Sequence, residues 1–118
     1  MEVRDLSQRT KSYALRIIRL YVSLPKTTEA QVLGKQVLRS GTSIGAHYRE
    51  ANRAKSDADF INKIQTALQE LDETEYWLEL IMEAGLFDQT KVEPLRAETK
   101  ELNAIFTTIV KKVRNRKP

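Results

Sequence analysis

In four successive stretches of this 118-residue chain, apolar residues recur at steps of three and four, and no stretch alternates apolar with polar at every second position. That period winds one apolar stripe along a helix and cannot sit on one face of a strand. The first stretch, 6–23, draws its stripe from Tyr13, Ile17, Leu20, Tyr21 and the adjoining Leu24, with Ala14 and Ile18 widening it. Asp5 or Ser7 can cap it, and Pro25 ends the pattern by favouring an extended residue before it.

The second stretch, 28–53, opens on Thr28 and Gln31, which have the spacing of a capping box. Leu33, Val37, Ser40, Ile44, His47 or Tyr48, and Ala51 follow. Gly34, Gly41 and Gly45 interrupt it, each costing about 1 kcal/mol against alanine in a helix. Gly41 and Gly45 are four apart and open one face to close backbone approach, so a continuous helix is expected.

The third stretch, 56–84, has Ser56 as cap and Asp57 and Asp59 beside the positive helix end. Phe60, Ile61, Ile64, Ala67, Leu68, Leu71, Leu78 and Ile81 form its main stripe; Trp77, Leu80 and Ala84 form a second strip beside it. That second strip suits packing against another subunit. Gly85 is placed to terminate the helix. The fourth stretch, 89–114, follows Asp88 as cap and carries Val92, Leu95, Thr99, Leu102, Ile105, Phe106, Ile109 and Val113 inward, with Pro94 tolerable in its first turn. Four amphipathic helices with short joins predict an all-α fold, an antiparallel up-and-down four-helix bundle in one domain spanning 1–118.

The chain has no cysteine, which excludes disulfides, thiol catalysis and cysteine metal sites. It offers no apolar run long enough for a bilayer span or a secretory leader, so a cytoplasmic protein without membrane association is expected. Charge is segregated along the sequence. Residues 1–55 hold 11 Lys or Arg against 4 Asp or Glu, a net +7; residues 56–83 hold 1 against 8, a net −7; residues 84–118 hold 8 against 4, a net +4. Basic and acidic faces can therefore mate within or between chains, or a basic surface can face nucleic acid.

Little in the sequence points to a reaction. Ser43, His47 and Glu50 share a helical face, but a hydrogen-bonded network explains them more simply than a nucleophile, base and orienter. A hydrolase built on His47 and the carboxylates is the remote alternative to a nonenzymatic role, and no catalytic residue is assigned. The acidic run from Glu70 to Glu83 lacks the paired Glu-x-x-His motifs of bundle di-iron sites, so no metal is expected. Neither phosphate-loop nor dinucleotide fingerprints occur, and no cofactor is expected. Gly41, Gly45, Tyr48 and Trp77 are candidate assembly or packing residues. Arg39, His47, Glu70 and Glu73 are candidate polar organisers across helices. Lys35, Arg49, Arg53 and Lys55, with Lys111, Lys112, Arg114, Arg116 and Lys117, are candidate contacts to RNA or DNA phosphates.

From Leu6 to Val113 the chain resembles the bacterial four-helix-bundle family historically called 23S ribosomal RNA intervening-sequence proteins. The resemblance rests on Ser23-Leu24-Pro25, on the segment from Gln36 to Ala46, on Ser56-Asp57-Ala58-Asp59-Phe60-Ile61, and on Leu71 to Leu80. It implies a homopentameric ring of up-and-down bundles, and it establishes neither ribosome binding nor an enzyme activity. Where family members carry an Asn-Ile-Ala-Glu-Gly-like segment, this chain has His47-Tyr48-Arg49-Glu50-Ala51 and retains only the glutamate. The resulting expectation is a nonenzymatic homo-oligomeric structural or accessory module with a possible nucleic-acid association; the alternative is a direct RNA- or DNA-phosphate-binding module.

Overall fold

The computed structural model describes residues 3–116, and four helices account for nearly all of them: α1 (Val3–Ser23), α2 (Thr28–Ala51), α3 (Asp57–Glu83) and α4 (Gln89–Asn115). No strand occurs among the described residues. Each helix packs on the next, and α4 returns beside α1, which leaves α1 and α3, and likewise α2 and α4, diagonally opposite in an up-and-down bundle. The result is a rod of 54 × 21 × 20 Å, matching the roughly 40 Å length of a 27-residue helix plus its turns.

The buried positions follow the predicted period. Leu6, Tyr13, Ile17, Leu20 and Leu24 line one side, facing Val37, Ile44, Tyr48, Ile64, Leu71, Leu78, Ile81, Leu102 and Phe106. Tyr48 stacks on Phe106 with ring centroids 5.7 Å apart and planes 9° apart, closing the core near the α2/α3 turn.

The caps explain where the helices begin and end. Thr27, not Thr28, caps α2 by accepting from the Ala30 N–H. Gln31 completes no capping box; its amide donates to the Pro25 carbonyl and its oxygen accepts from Tyr21, pinning the first turn instead. Ser56 Oγ accepts from the Asp59 N–H at 3.0 Å, and Asp88 caps α4 through the Thr90 N–H. α1 begins at Val3, so Asp5 and Ser7 lie inside its first turns rather than capping it. At the end of α3, Gly85 adopts φ +70°, while Leu86 N–H reaches the Ile81 carbonyl and Gly85 N–H the Met82 carbonyl. These two bonds satisfy the last carbonyls, and only glycine takes that left-handed φ without steric cost.

Two seams are closed differently. Along α1/α2 the backbones approach closely because α2 presents glycine: a Cβ added at Gly41 would stand 2.8 Å from Ile17 Cγ1. Along α1/α4 few backbone positions come near one another, and long side chains span the gap. Arg9 binds both carboxylate oxygens of Glu98, at 2.7 and 2.8 Å, and also reaches Glu101.

Candidate nucleic-acid interface

The bundle end formed by the α2/α3 turn and the last turns of α4 holds a surface recess of about 550 Å³. Its floor is apolar, from Tyr48, Phe60, Ile109 and Val113, and its rim carries Lys55, Lys112 and Arg116. The fold brings these cations together from sequence positions more than fifty residues apart, because α4 runs back past the turn that carries Lys55. Arg116 also bonds Asp57 at 2.9 Å, tying the end of α4 to the start of α3. Three cations over an apolar floor can hold phosphate oxygens and shelter part of a ribose or base.

The other candidate cations do not all join this rim. Arg53 is exposed in the α2/α3 turn, and Lys111 and Arg114 are exposed on α4 without lining the recess. Arg49 instead borders a shallow groove between α1 and α2, together with Lys11. Lys35 lies toward the opposite end of α2, fourteen residues and about 21 Å from Arg49 along the helix. Lys117 falls outside the described residues.

The four polar organisers do meet, along the α2/α3 seam. Arg39 bonds Glu73 at 2.6 Å and Glu70 at 3.4 Å. His47 lies with Nε2 3.7 Å from Glu70 and Nδ1 3.4 Å from Glu50. Beneath them, the buried Ser40 and Thr74 hydroxyls hydrogen-bond at 2.7 Å. Because Arg39 and Glu73 are half-exposed, the chain of charges adds little stability and serves mainly to fix which residues face each other. Ser43 donates to the Arg39 carbonyl at 2.6 Å, so its proton is not directed at His47.

The assembly candidates divide. Gly41 is buried against Ile17, and Gly45 faces Thr10, so both let α1 and α2 approach closely within the protomer. Tyr48 is likewise core. Trp77 lies half-buried against that core, with Nε1 buried and lacking a hydrogen-bond partner, while its neighbour Tyr76 takes the exposed position on α3. Ile18 does not widen the inward stripe of α1; it turns outward with Leu15 and Val22. The three stand at i, i+3 and i+7, which is a helical stripe on the side away from Tyr13 and Ile17, a signal present in the sequence but overshadowed by the stronger inner one.

Among the described residues no group of His, Asp or Glu is arranged to hold a metal ion, and no helix is long and apolar enough to cross a membrane. A family model described as 23S rRNA-intervening sequence protein matches residues 3–108. No curated protein matches. A solved structure of a protein with unknown function, from the S23 ribosomal protein family of Bacteroides thetaiotaomicron VPI-5482, is 41% identical over 94% of this chain and 99% of its own, with a TM-score of 0.87.

Proposed function

Because this chain belongs to the 23S rRNA-intervening sequence protein family, we propose that it acts as a nonenzymatic, homo-oligomeric accessory module that resides in the cytoplasm and works beside nucleic acid. The observation that carries the reading is apolar surface left over once the core is complete. Leu15, Ile18 and Val22 on α1 are 43%, 39% and 66% exposed, and Tyr76 on α3 is 54% exposed. Scattered apolar residues are ordinary on a monomer, whereas a helical stripe of three with an aromatic on the diagonally opposite helix is what a subunit contact leaves bare in one protomer. Multi-angle light scattering over a range of concentrations tests it. A stable mass several times that of the 13.6 kDa chain, five-fold if the family resemblance extends to stoichiometry, is expected; a monomer throughout would rule the reading out.

A second reading, direct binding of RNA or DNA phosphates, is favoured by the convergence of Lys55, Lys112 and Arg116 on one recess. Affinity that falls steeply as salt rises, for unrelated sequences alike, is the signature of such binding. No retention of RNA or DNA oligonucleotides even at low salt would dismiss it.

A further inference from the structure

We infer that the opposite end of the bundle, where the last turns of α1 meet the first turn of α4, is a binding site for a compact phosphoryl anion, a pyrophosphate or a terminal phosphomonoester. The observation that carries it is a break in the charge pairing of the α1/α4 seam. Arg9 and Arg16 are seven residues apart, about two helical turns, and so share one face of α1. α4 runs antiparallel to α1, and Arg9 meets Glu98 there at 2.7 Å. Seven residues back along α4 from Glu98, the position level with Arg16 is Lys91, a cation where the repeat calls for a carboxylate. Arg19 joins them, and the three cations border one recess of about 230 Å³ over an apolar floor of Leu20, Phe87 and Leu95.

No carboxylate lines this recess. Among the described residues the nearby acids are engaged elsewhere. Glu98 and Glu101 hold Arg9, and Glu93 reaches Arg96. Asp88 feels the charge of Lys91, but its carboxylate accepts from the N–H and the hydroxyl of Thr90. Arg16 is half-buried, and Lys91 sits in the first turn of α4, the helix end where the dipole disfavours a cation. The Phe87 ring, 6.0 Å from the Lys91 ammonium, offsets little of this. An anion with two or more charges relieves the repulsion: the guanidinium forks of Arg16 and Arg19 match phosphate oxygens in pairs, and Lys91 adds a point charge. The recess is smaller than the roughly 300–1,000 Å³ of drug-sized pockets, which suits one or two phosphoryl groups with any attached group left in solvent. An anion held there also clasps α1 to α4, the seam with few close backbone approaches.

Thermal unfolding of the full-length protein, followed by circular dichroism, tests the site with inorganic pyrophosphate as the probe. The midpoint should rise with pyrophosphate concentration, as for any ligand held by the folded state alone, and should rise further than in sodium chloride of equal ionic strength. Arg16→Gln should weaken the apparent affinity by about tenfold or more, whereas Lys112→Gln, at the other end of the rod, should leave it unchanged. Lys91→Glu rebuilds at Arg16 the pairing that Arg9 makes with Glu98. Without pyrophosphate this variant should unfold at a higher temperature than the wild type, and added pyrophosphate should no longer raise it. Two oligonucleotides of one sequence, with and without a 5′-phosphate, separate the sources of the anion. Stronger stabilisation by the phosphorylated strand assigns the site to a nucleic-acid end, equal effects assign it to a free phosphorylated compound, and either result upholds the site. A midpoint no higher than in matched salt, or a rise that Arg16→Gln leaves intact, overturns the proposal. So does a lower mass by light scattering for Arg16→Gln and Lys91→Glu without any pyrophosphate effect, because the cations then face a neighbouring chain.

Discussion

Tyr13 on α1 donates its hydroxyl proton to Thr99 on α4, across the widest seam of the bundle, at 2.6 Å. The direction follows from counting protons: Thr99 gives its single proton to the Leu95 carbonyl at 2.8 Å, leaving its oxygen only to accept. Both hydroxyls are buried, so Tyr13→Phe strands an acceptor and should cost about 1–2 kcal/mol near neutral pH. Burial pushes the Tyr13 phenol well above its ordinary range. Because the folded-state value is the raised one, the neutral phenol's contribution is complete below the unfolded value near 10 and is lost as pH rises above it. Denaturant titrations of the wild type and Tyr13→Phe should therefore converge in alkali, and a gap that widens there would contradict this account.

Gly41 is held against Ile17, and the consequence can be weighed. Alanine at this position should gain about 1 kcal/mol of helix propensity. Its methyl would also meet three Ile17 carbons at 2.8, 3.0 and 3.1 Å, and overpacking of this kind costs about 1–3 kcal/mol. Ile17 is fully buried and has little room to yield, so Gly41→Ala should be net destabilising. Combining it with Ile17→Ala should cost less than the two separate losses added together, a coupling that chemical denaturation of the four proteins would measure.

These examples show what the sequence makes legible. A three- and four-residue period reports which side of a helix is apolar, so Ile44, Leu71 and Phe106 are readable as core from spacing alone. The spacing of Gly41 signals close approach but not its target, since an intramolecular neighbour and a second copy both require a small residue. Thr27 and Thr28 are equally competent caps; the choice fell on Thr27 because Gln31 was recruited by Pro25 and Tyr21, a contact that exists only once the turn has formed. The rim of Lys55, Lys112 and Arg116 is invisible in the sequence for a plainer reason. Nothing local records that the end of α4 returns to the α2/α3 turn.

Acid should reveal the cap of α4. Asp88 accepts from both the hydroxyl and the backbone N–H of Thr90, at 2.8 and 2.9 Å, and these bonds, the hydroxyl's first, hold its carboxyl below the ordinary range. A depressed folded value means that the stabilisation is present above the unfolded value near 3.9 and disappears as pH falls through the folded one. Asp88→Asn keeps a competent capping side chain without a charge to titrate. The stability difference between wild type and this variant should accordingly shrink as pH falls below about 4, as followed by helical circular dichroism in denaturant; a constant difference below that pH would place the acid sensitivity elsewhere.

Lys55 in the α2/α3 turn and Lys112 on α4 approach the recess from different elements, and both are exposed. Arg116 on the same rim already has Asp57 as a partner at 2.9 Å, so part of its charge is neutralised and it should count for less in binding an anion. If the end of the bundle holds nucleic-acid backbone, each lysine that contacts a phosphate releases about 0.9 of a counterion on duplex DNA. Replacing both with glutamine should then lower the slope of log affinity against log salt by about 2, without changing any preference among sequences. Lys35→Gln, far along α2, is the control and should leave the slope alone. Equal losses from Lys35→Gln and Lys112→Gln would mean that affinity follows net charge alone, and the recess would lose its claim as the binding surface.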